Sequence, residues 1–365
     1  MFFAGGGKAT SSLFRVEMWA VGGVRRTSLR SNAFLQAIRG SGFIATHILR
    51  VLLERGYDVV TTVRSSSKGD KILQAYPDIP KSKLSYVVVE DIAKAGAFDE
   101  AVKSDPPFDI VIHTASPFHD KFEHPKDIIE PAINGTTSIL KAIKASAPTV
   151  KRVVLTSSFA SMFNSDASIS VYDESSWNPI TLDAAMADRA KAYRGSKTLA
   201  ERAAWDFVQN EKPSFDLVTM CPPLVYGPVM HHLSSLESLN TSNQRIRDFI
   251  QGKFQDGLPP VVGSVLWTDV RDLALAHVKA AEVPEAGGRR FFITAGHYSS
   301  KRIVDAIRAT HPELSSRLPA SDTDDLPKDV YGYDNSQARQ ILGLTFRPLQ
   351  ESIGDTVTSL LKLGA

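Results

Sequence analysis

The chain has one cysteine, Cys221, among 365 residues. A single thiol excludes an internal disulfide framework and a multi-cysteine metal site, and it fits a reducing, cytoplasmic compartment. No apolar run reaches the roughly 18 residues that a membrane span needs. Excess charge is also lacking. Lys and Arg number 42 against 40 Asp and Glu, a formal net charge of +2. That balance leaves no footprint for nucleic acid or a membrane surface. There is no internal repeat and no low-complexity tract. With 43% hydrophobic and 22% charged residues the chain has enough apolar matter for a packed core, which excludes wholesale disorder. Metal ligands are scarce too. His231 and His232 are adjacent, neighbours on a loop do not converge on one ion, and no acid–His cluster accompanies them, so no metal is expected. Trp177, Trp205 and Trp267 read as packing residues.

What is there begins unevenly. Up to residue 39 the chain holds Lys8, Arg15, Arg25, Arg26, Arg30 and Arg39 against the single acid Glu17. Taking those six bases and one acid from 42 and 40 leaves the remainder at a net −3. Residues 1–38 are thus an atypical basic extension, rich in Ser and Gly and without a clean period. It reads as a mitochondrial transit peptide, or as a poorly ordered or misassigned extension foreign to the fold.

From residue 43 the pattern is regular. Phe43, Ile44, His47, Ile48, Val51 and Leu52 recur at helical spacing, and Gly56 ends that helix. β-branched or apolar runs at 58–63, 84–89, 108–113, 152–156 and 215–220 predict strands. Helices are expected at 68–76, 127–144 and from about 184 to 210. Strands alternating with helices imply right-handed βαβ units: an α/β protein with a Rossmann-type, doubly wound parallel sheet covered on both faces. After Pro228 the alternation fades. We therefore expect a dinucleotide-binding domain over 39–228, to which 265–297 returns, and a smaller, mostly C-terminal substrate-binding lobe from 229–264 and 298–365.

The stretch RGSGFIATHIL, residues 39–49, has the spacing of a phosphate loop. Such a loop needs a small residue for the tight turn, a second for backbone approach to a pyrophosphate, and a third for helix–strand packing. Gly42 and Ala45 meet the last two needs. Arg39 stands where the first glycine belongs, with Gly40 beside it. Gly40, Ser41, Gly42, Phe43 and Ile44 are the candidate phosphate-binding residues, at a helix N-terminus whose free N–H groups and dipole favour an anion. The preceding strand is weak, since Gln36 interrupts Phe34, Leu35 and Ile38. Taken alone, a loop before an ordinary amphipathic helix fits as well.

Arg64 follows the second strand, about 20 residues past the loop. An acid there suits the ribose 2′-hydroxyl of NAD; an arginine suits the 2′-phosphate of NADP. Lys68 adds a second cation one turn on. The plain structural reading is a solvated charge pair. Asp91 and Ile92, ending the third strand, are placed to contact adenine; a helix cap is the alternative for Asp91.

Tyr193 and Lys197 share one helix face in YRGSK. A phenol titrates near 10, and a neighbouring ammonium lowers that value. The hydroxyls of Thr156-Ser157-Ser158 end the strand before it, where a substrate carbonyl would lie.

These stretches carry a resemblance. GSGFIATHIL, VVTTVRS, VIHTASPF, VVLTSSFAS, YRGSK, ERAAWDFV, CPPLVYGP, WTDVRDLALAHV and DNSQARQILGL are similar to the extended short-chain dehydrogenase/reductase family over roughly residues 39–360. Within it, the chain looks most like the dihydroflavonol reductase and fungal methylglyoxal (aldehyde, ketone) reductase branch. The resemblance implies an NADPH-dependent oxidoreductase acting on a small carbonyl substrate. Ser158 would hold the carbonyl, Tyr193 would be the general acid, and Lys197 would lower the tyrosine pKa and bind ribose. Thr114, Ala115 and Ser116 would run along the cofactor, with Pro222 and Val225 near the nicotinamide and Ser242 touching the cofactor too. Asn134 would join a proton relay or be a helix-surface amide. Phe118, Phe159, Met162 and Tyr226 would line an apolar substrate pocket, with core packing as the alternative for each.

The departure is Ile38-Arg39, where the family has Thr-Gly. A bulky arginine turning beside the pyrophosphate implies weaker cofactor binding. Rival activities share the fold: a nucleotide-sugar epimerase or dehydratase, a 3-beta-hydroxysteroid-type dehydrogenase, a cinnamoyl-CoA reductase, or a non-catalytic regulator or dead paralogue. The Trp- and Cys-containing segment that surrounds the tyrosine in cinnamoyl-CoA reductases is absent from AKAYRGSK. Nothing in the sequence marks an oligomer interface.

Overall fold

The computed structural model describes residues 34–38 (backbone only), 42–114, 122–230, 236, 239–261 and 263–365. The first half alternates strand and helix: β1 (Phe34–Ile38), α1 (Phe43–Glu54), β2 (Asp58–Val63), α2 (Ser66–Ala75), β3 (Leu84–Val88), β4 (Ile110–His113), α3 (Lys126–Ser146) and β5 (Arg152–Thr156). A loop region follows with β6 (Val171–Tyr172) and α4 (Leu182–Ala187), then α5 (Arg189–Glu211), β7 (Asp216–Cys221), β8 (Leu224–Tyr226) and α6 (Thr241–Ile250). The remainder is β9 (Leu266–Asp269), α7 (Val270–Glu282), β10 (Arg290–Phe292), β11 (Gly296–His297), α8 (Ser300–Thr310), β12 (Gly332–Tyr333), α9 (Ser336–Gln340) and α10 (Leu349–Lys362).

Seven strands form one parallel sheet in the order β10-β7-β5-β4-β1-β2-β3. The order reverses between β1 and β4, so the crevice beyond their carboxyl ends is the switch point where such sheets bind ligands. The weak first strand is therefore central: Ile38 pairs with His113 and Phe34 with Asp58. Tertiary pairing on both sides overrides its modest strand propensity.

Period-two patterning puts successive side chains into two separate cores. Ile110, Ile112, Val154 and Val218 pack with α1 and α7, including Leu49, Leu52, Leu273 and Val278. Val111, Val153, Leu155 and Leu217 pack on the other face with Ile139, Ile143, Ala204 and Phe207 of α3 and α5. Each fully buried Val, Leu, Ile or Phe side chain contributes on the order of 1.5–3 kcal/mol. Helix α1 stops where expected: Gly56 has φ +81°, and Tyr57 N–H donates back to the Leu52 carbonyl at 3.1 Å.

A third core holds Tyr226, Phe249, Ile250, Trp267, Tyr298, Ile307, Ile353 and Leu360, from α6, α8, α10 and the small β11-β9-β8 sheet. Three placements differ from the sequence pattern, the first being residues 34–38, which belong to the dinucleotide sheet and not to the basic extension because β2 and β4 pair with them on both sides. Within 265–297, β10 joins the main sheet and α7 packs on its first core, while β9 pairs with β8 and β11. The 298–365 segment is not all lobe either. Ala338, Leu342 and Leu344 pack with the first core, because α9 lies against β10. Gly227, with φ +138°, makes the turn after β8; a Cβ there would lie 2.6 Å from Val270 Cγ1.

Candidate active site

Because the main strands are parallel, whatever follows each one emerges at the same edge. Gly42 lies beyond β1, Arg64 follows β2, Asp91 and Ile92 lie beyond β3, Thr114 follows β4, Ser158 lies beyond β5, and Pro222 follows β7. The topology thus brings together residues spread over 180 positions.

Gly42 is the N-cap of α1 and supplies no side-chain cap. Phe43 is buried, Ile44 half-buried, and Ala45 only 4% exposed, so the small third residue packs against the core as the loop pattern requires. Arg39, Gly40 and Ser41 lie outside the described residues, as do Ala115, Ser116, Phe118, His231 and His232. Arg64 is exposed at the end of β2, and among the described residues it has no carboxylate partner. It precedes Ser65, the N-cap of α2, and Lys68 stands exposed in that helix's first turn. Asp91 is exposed and accepts from Ala93 N–H at 2.9 Å, as a cap would. Ile92 is buried against Gly135 of α3. These positions fit a dinucleotide: a helix N-terminus with glycine at its N-cap for the pyrophosphate, and two exposed cations, Arg64 and Lys68, for a 2′-phosphate.

The reactive end is more tightly built. The Ser158 hydroxyl lies near enough to Tyr193 to influence how the phenol titrates. Ala160 N–H donates to Ser158 Oγ at 3.1 Å, which fixes that hydroxyl's rotamer. Burial is the larger influence on Tyr193 and pushes its pKa up, while the neighbouring Ser158 hydroxyl pulls it down. The net direction corrects the sequence expectation of a lowered value: desolvation of the phenolate outweighs its partner. Lys197 lies one turn further along α5. It shares a small cavity with Thr136, Thr156, Ser157 and Glu201. Asn134 is exposed, its side chain on the helix surface; Thr136 is the α3 residue that lines the cavity.

Pro222 is buried, and its carbonyl accepts from Phe159 N–H at 2.8 Å. The Val225 carbonyl accepts from Asn240 Nδ2 at 3.3 Å, and Asn240 caps α6, whose first turn holds Ser242. Of the pocket candidates among the described residues, Phe159 and Met162 share one cluster and Tyr226 lies in another. Phe159 is 2% exposed and stacks on Phe292 at 5.1 Å, with Met162 buried beside it. Tyr226 is fully buried in the third core against Tyr298. Core packing is what all three side chains do here. Tyr193 packs against a small apolar cluster that includes Ile129 and Ala185, and Phe122, Ile180 and Met186 pack against the same cluster. Among the described residues no group of His, Cys, Asp or Glu could hold a metal, and no helix is long and apolar enough to cross a membrane.

Two buried histidines bracket the site. His47 Nε2 donates to the Pro228 carbonyl at 2.9 Å. His277 Nδ1 donates to the Leu273 carbonyl at 2.8 Å, so its Nε2 accepts from Thr156 Oγ1 at 2.7 Å. Burial lowers each pKa to about 4, so both rings are neutral at physiological pH. Sequence patterning missed His277, Thr136 and Glu201. The one available signal was the spacing of Lys197 and Glu201, four apart on a single helix face.

Residues 40–294 match the NAD dependent epimerase/dehydratase family. The chain is 54% identical over 325 residues to ketoreductase azaE of Aspergillus niger, covering 88% of this chain and 96% of that one. It is 36% identical over 334 residues to the NADPH-dependent methylglyoxal reductase GRE2 of Saccharomyces cerevisiae, with 88% and 96% covered. The fold superposes on the crystal structure of Gre2 in complex with NADPH from Candida albicans with a TM-score of 0.84, 33% identity, and 91% and 100% of the two chains covered.

Proposed function

The chain belongs to the NAD dependent epimerase/dehydratase family, and we propose that it is an NADPH-dependent reductase of small aldehydes or ketones. The observation that carries this reading is the Ser158–Tyr193 hydroxyl pair at the sheet's carboxyl edge, with Lys197 one turn beyond. Nicotinamide, when bound, supplies the hydride. Gly42, Phe43 and Ile44 would hold the pyrophosphate, with Arg64 and Lys68 on the 2′-phosphate. Asp91, Ile92 and Thr114 would line the rest of the dinucleotide, and Pro222, Val225 and Ser242 its nicotinamide end.

Carbonyl reduction leaves negative charge on the substrate oxygen and calls for a proton. The Ser158 hydroxyl donates a hydrogen bond to that oxygen, stabilising the charge as it grows. Tyr193 delivers the proton. Its raised pKa suits that role, since the phenol stays protonated at neutral pH until an oxyanion of higher basicity faces it. Lys197 stabilises the phenolate left behind and bonds the ribose. A chain that carries Ser158, Tyr193 and Lys197 together fits turnover better than a dinucleotide sensor without turnover. The exposed arginine and lysine after β2 favour NADP over the NAD of an epimerase. The apolar surroundings of Tyr193 suit methylglyoxal, diketones or dihydroflavonol-like ketones. The single cysteine is buried and free, and the reducing cytoplasm is the compartment we propose.

The test is cofactor oxidation by the purified chain with a panel of methylglyoxal, a diketone, an aliphatic aldehyde and a dihydroflavonol. Carbonyl-dependent turnover with NADPH well above that with NADH is expected. Tight NADPH binding with no turnover of any carbonyl would instead make the chain a regulator.

A further inference from the structure

We infer that Glu201 is a positioning residue for Ser158, acting through the two serines that flank it, Ser157 and Ser161. The inference rests on the reading that the Ser158 hydroxyl meets the reacting oxygen.

Glu201 is fully buried, yet it lies on α5 in a wall of the cavity that Lys197 shares. Its Oε2 accepts from Ser157 Oγ and from Ser161 Oγ, each at 2.5 Å. Its Oε1 accepts from Thr219 Oγ1 at 2.7 Å, from Arg290 Nε at 2.8 Å and from Trp205 Nε1 at 3.4 Å. Burial pushes the carboxyl pKa up, but Arg290 and the two serines hold it below the usual range, so the group is ionised. A buried ion pair is a poor device for stability alone, because well-packed apolar residues do as well or better. Here its contacts converge on one short segment.

That segment is the turn carrying Ser158. The Ser161 hydroxyl lies 2.7 Å from the Ser158 carbonyl and Ser161 N–H donates to the same carbonyl at 3.0 Å, closing the 159–161 turn. The turn in turn presents Ala160 N–H to Ser158 Oγ. With a lone pair of Oγ so occupied, the hydroxyl proton is free to face the Tyr193 side. Arg290, from a strand 89 residues further on, completes the clamp. It donates to the Ser176 carbonyl at 2.6 Å and the Glu174 carbonyl at 2.8 Å, and its guanidinium lies 3.7 Å from the centre of the Trp177 ring. Asn178 Nδ2 closes the loop onto the Ala160 carbonyl at 3.0 Å. The chain from Glu201 to Ser158 is therefore unbroken: carboxylate, flanking hydroxyls, turn, rotamer. Neither Glu201 nor Arg290 reaches the reacting atoms.

The test is a double-mutant cycle on kcat with Glu201→Gln and Ser158→Ala. Gln keeps the shape but loses the charge and one strong acceptor. In the wild-type background kcat should fall about tenfold or more, since small misplacement of a reacting group is costly. NADPH affinity, read by protein-fluorescence quenching, should be unchanged. In the Ser158→Ala background the same change should cost less than about twofold, because linked residues are non-additive. Equal losses in both backgrounds would overturn the inference and leave the functional reading standing. A Ser158→Ala enzyme with wild-type kcat would overturn the functional reading itself. If Glu201→Gln does not fold, Ser161→Ala keeps the ion pair and removes one link. It should show the same non-additivity, and additivity would again refute the inference.

Discussion

Acidification should unfold the chain through His277, and the size of the effect follows from its surroundings. The ring is buried, held by the Leu273 carbonyl and the Thr156 hydroxyl, and its pKa is lowered from 6.5 to about 4. The folded state therefore keeps it neutral where the unfolded chain takes up a proton. Stability linked to this group is fully present above about pH 6.5 and is lost as the pH falls toward 4. Between about pH 7 and 5 the loss is about 2 kcal/mol. Glu174 and Asp272, whose pKa values burial raises, act in the opposite direction, so the total curve does not isolate one residue. Comparison with His277→Gln does. Urea unfolding of both proteins across that range should show the wild type losing about 2 kcal/mol more than the variant. Parallel curves would refute the reasoning and mean that His277 titrates alike in the folded and unfolded states.

Other perturbations test the remaining assignments. Arg64→Ala should weaken NADPH binding about tenfold or more with little change for NADH, because an exposed guanidinium serves only the 2′-phosphate; equal loss for both cofactors, by fluorescence titration, would remove Arg64 from that role. Phe159→Ala should destabilise the fold by about 3–5 kcal/mol, since the ring stacks in a closed aromatic cluster. Its KM for the carbonyl should change little, and a large KM rise in a stable variant would return Phe159 to the substrate pocket.

Much of the dinucleotide fold was legible because β-branched runs and helical periods alternate cleanly from residue 43 onward. The weak strand at 34–38 could be read as an element but not ranked as central, since its place depends on pairing with Asp58 and His113 neighbours remote in sequence. The proposed trio of Ser158, Tyr193 and Lys197 could be singled out because two of its members share a helix face and the third follows a strand. What surrounds it was not. Glu201 meets Arg290 across 89 residues, and His277 meets Thr156 across 121, contacts that no local period encodes. The aromatic residues after Ser158 read equally well as pocket or core. Only burial against Phe292 and Tyr172 separates the two. Asn134 and Thr136 are two positions apart on α3, and the helical rotation between them decides which one meets Lys197's cavity.

The most direct test of the central claim compares wild type with Tyr193→Phe. Carbonyl-dependent NADPH oxidation and NADPH affinity would be measured on the same preparations. The account predicts loss of nearly all turnover, about a hundredfold or more, with NADPH affinity largely intact. Near-normal turnover in the Phe variant would contradict it, because the proton would then come from another group.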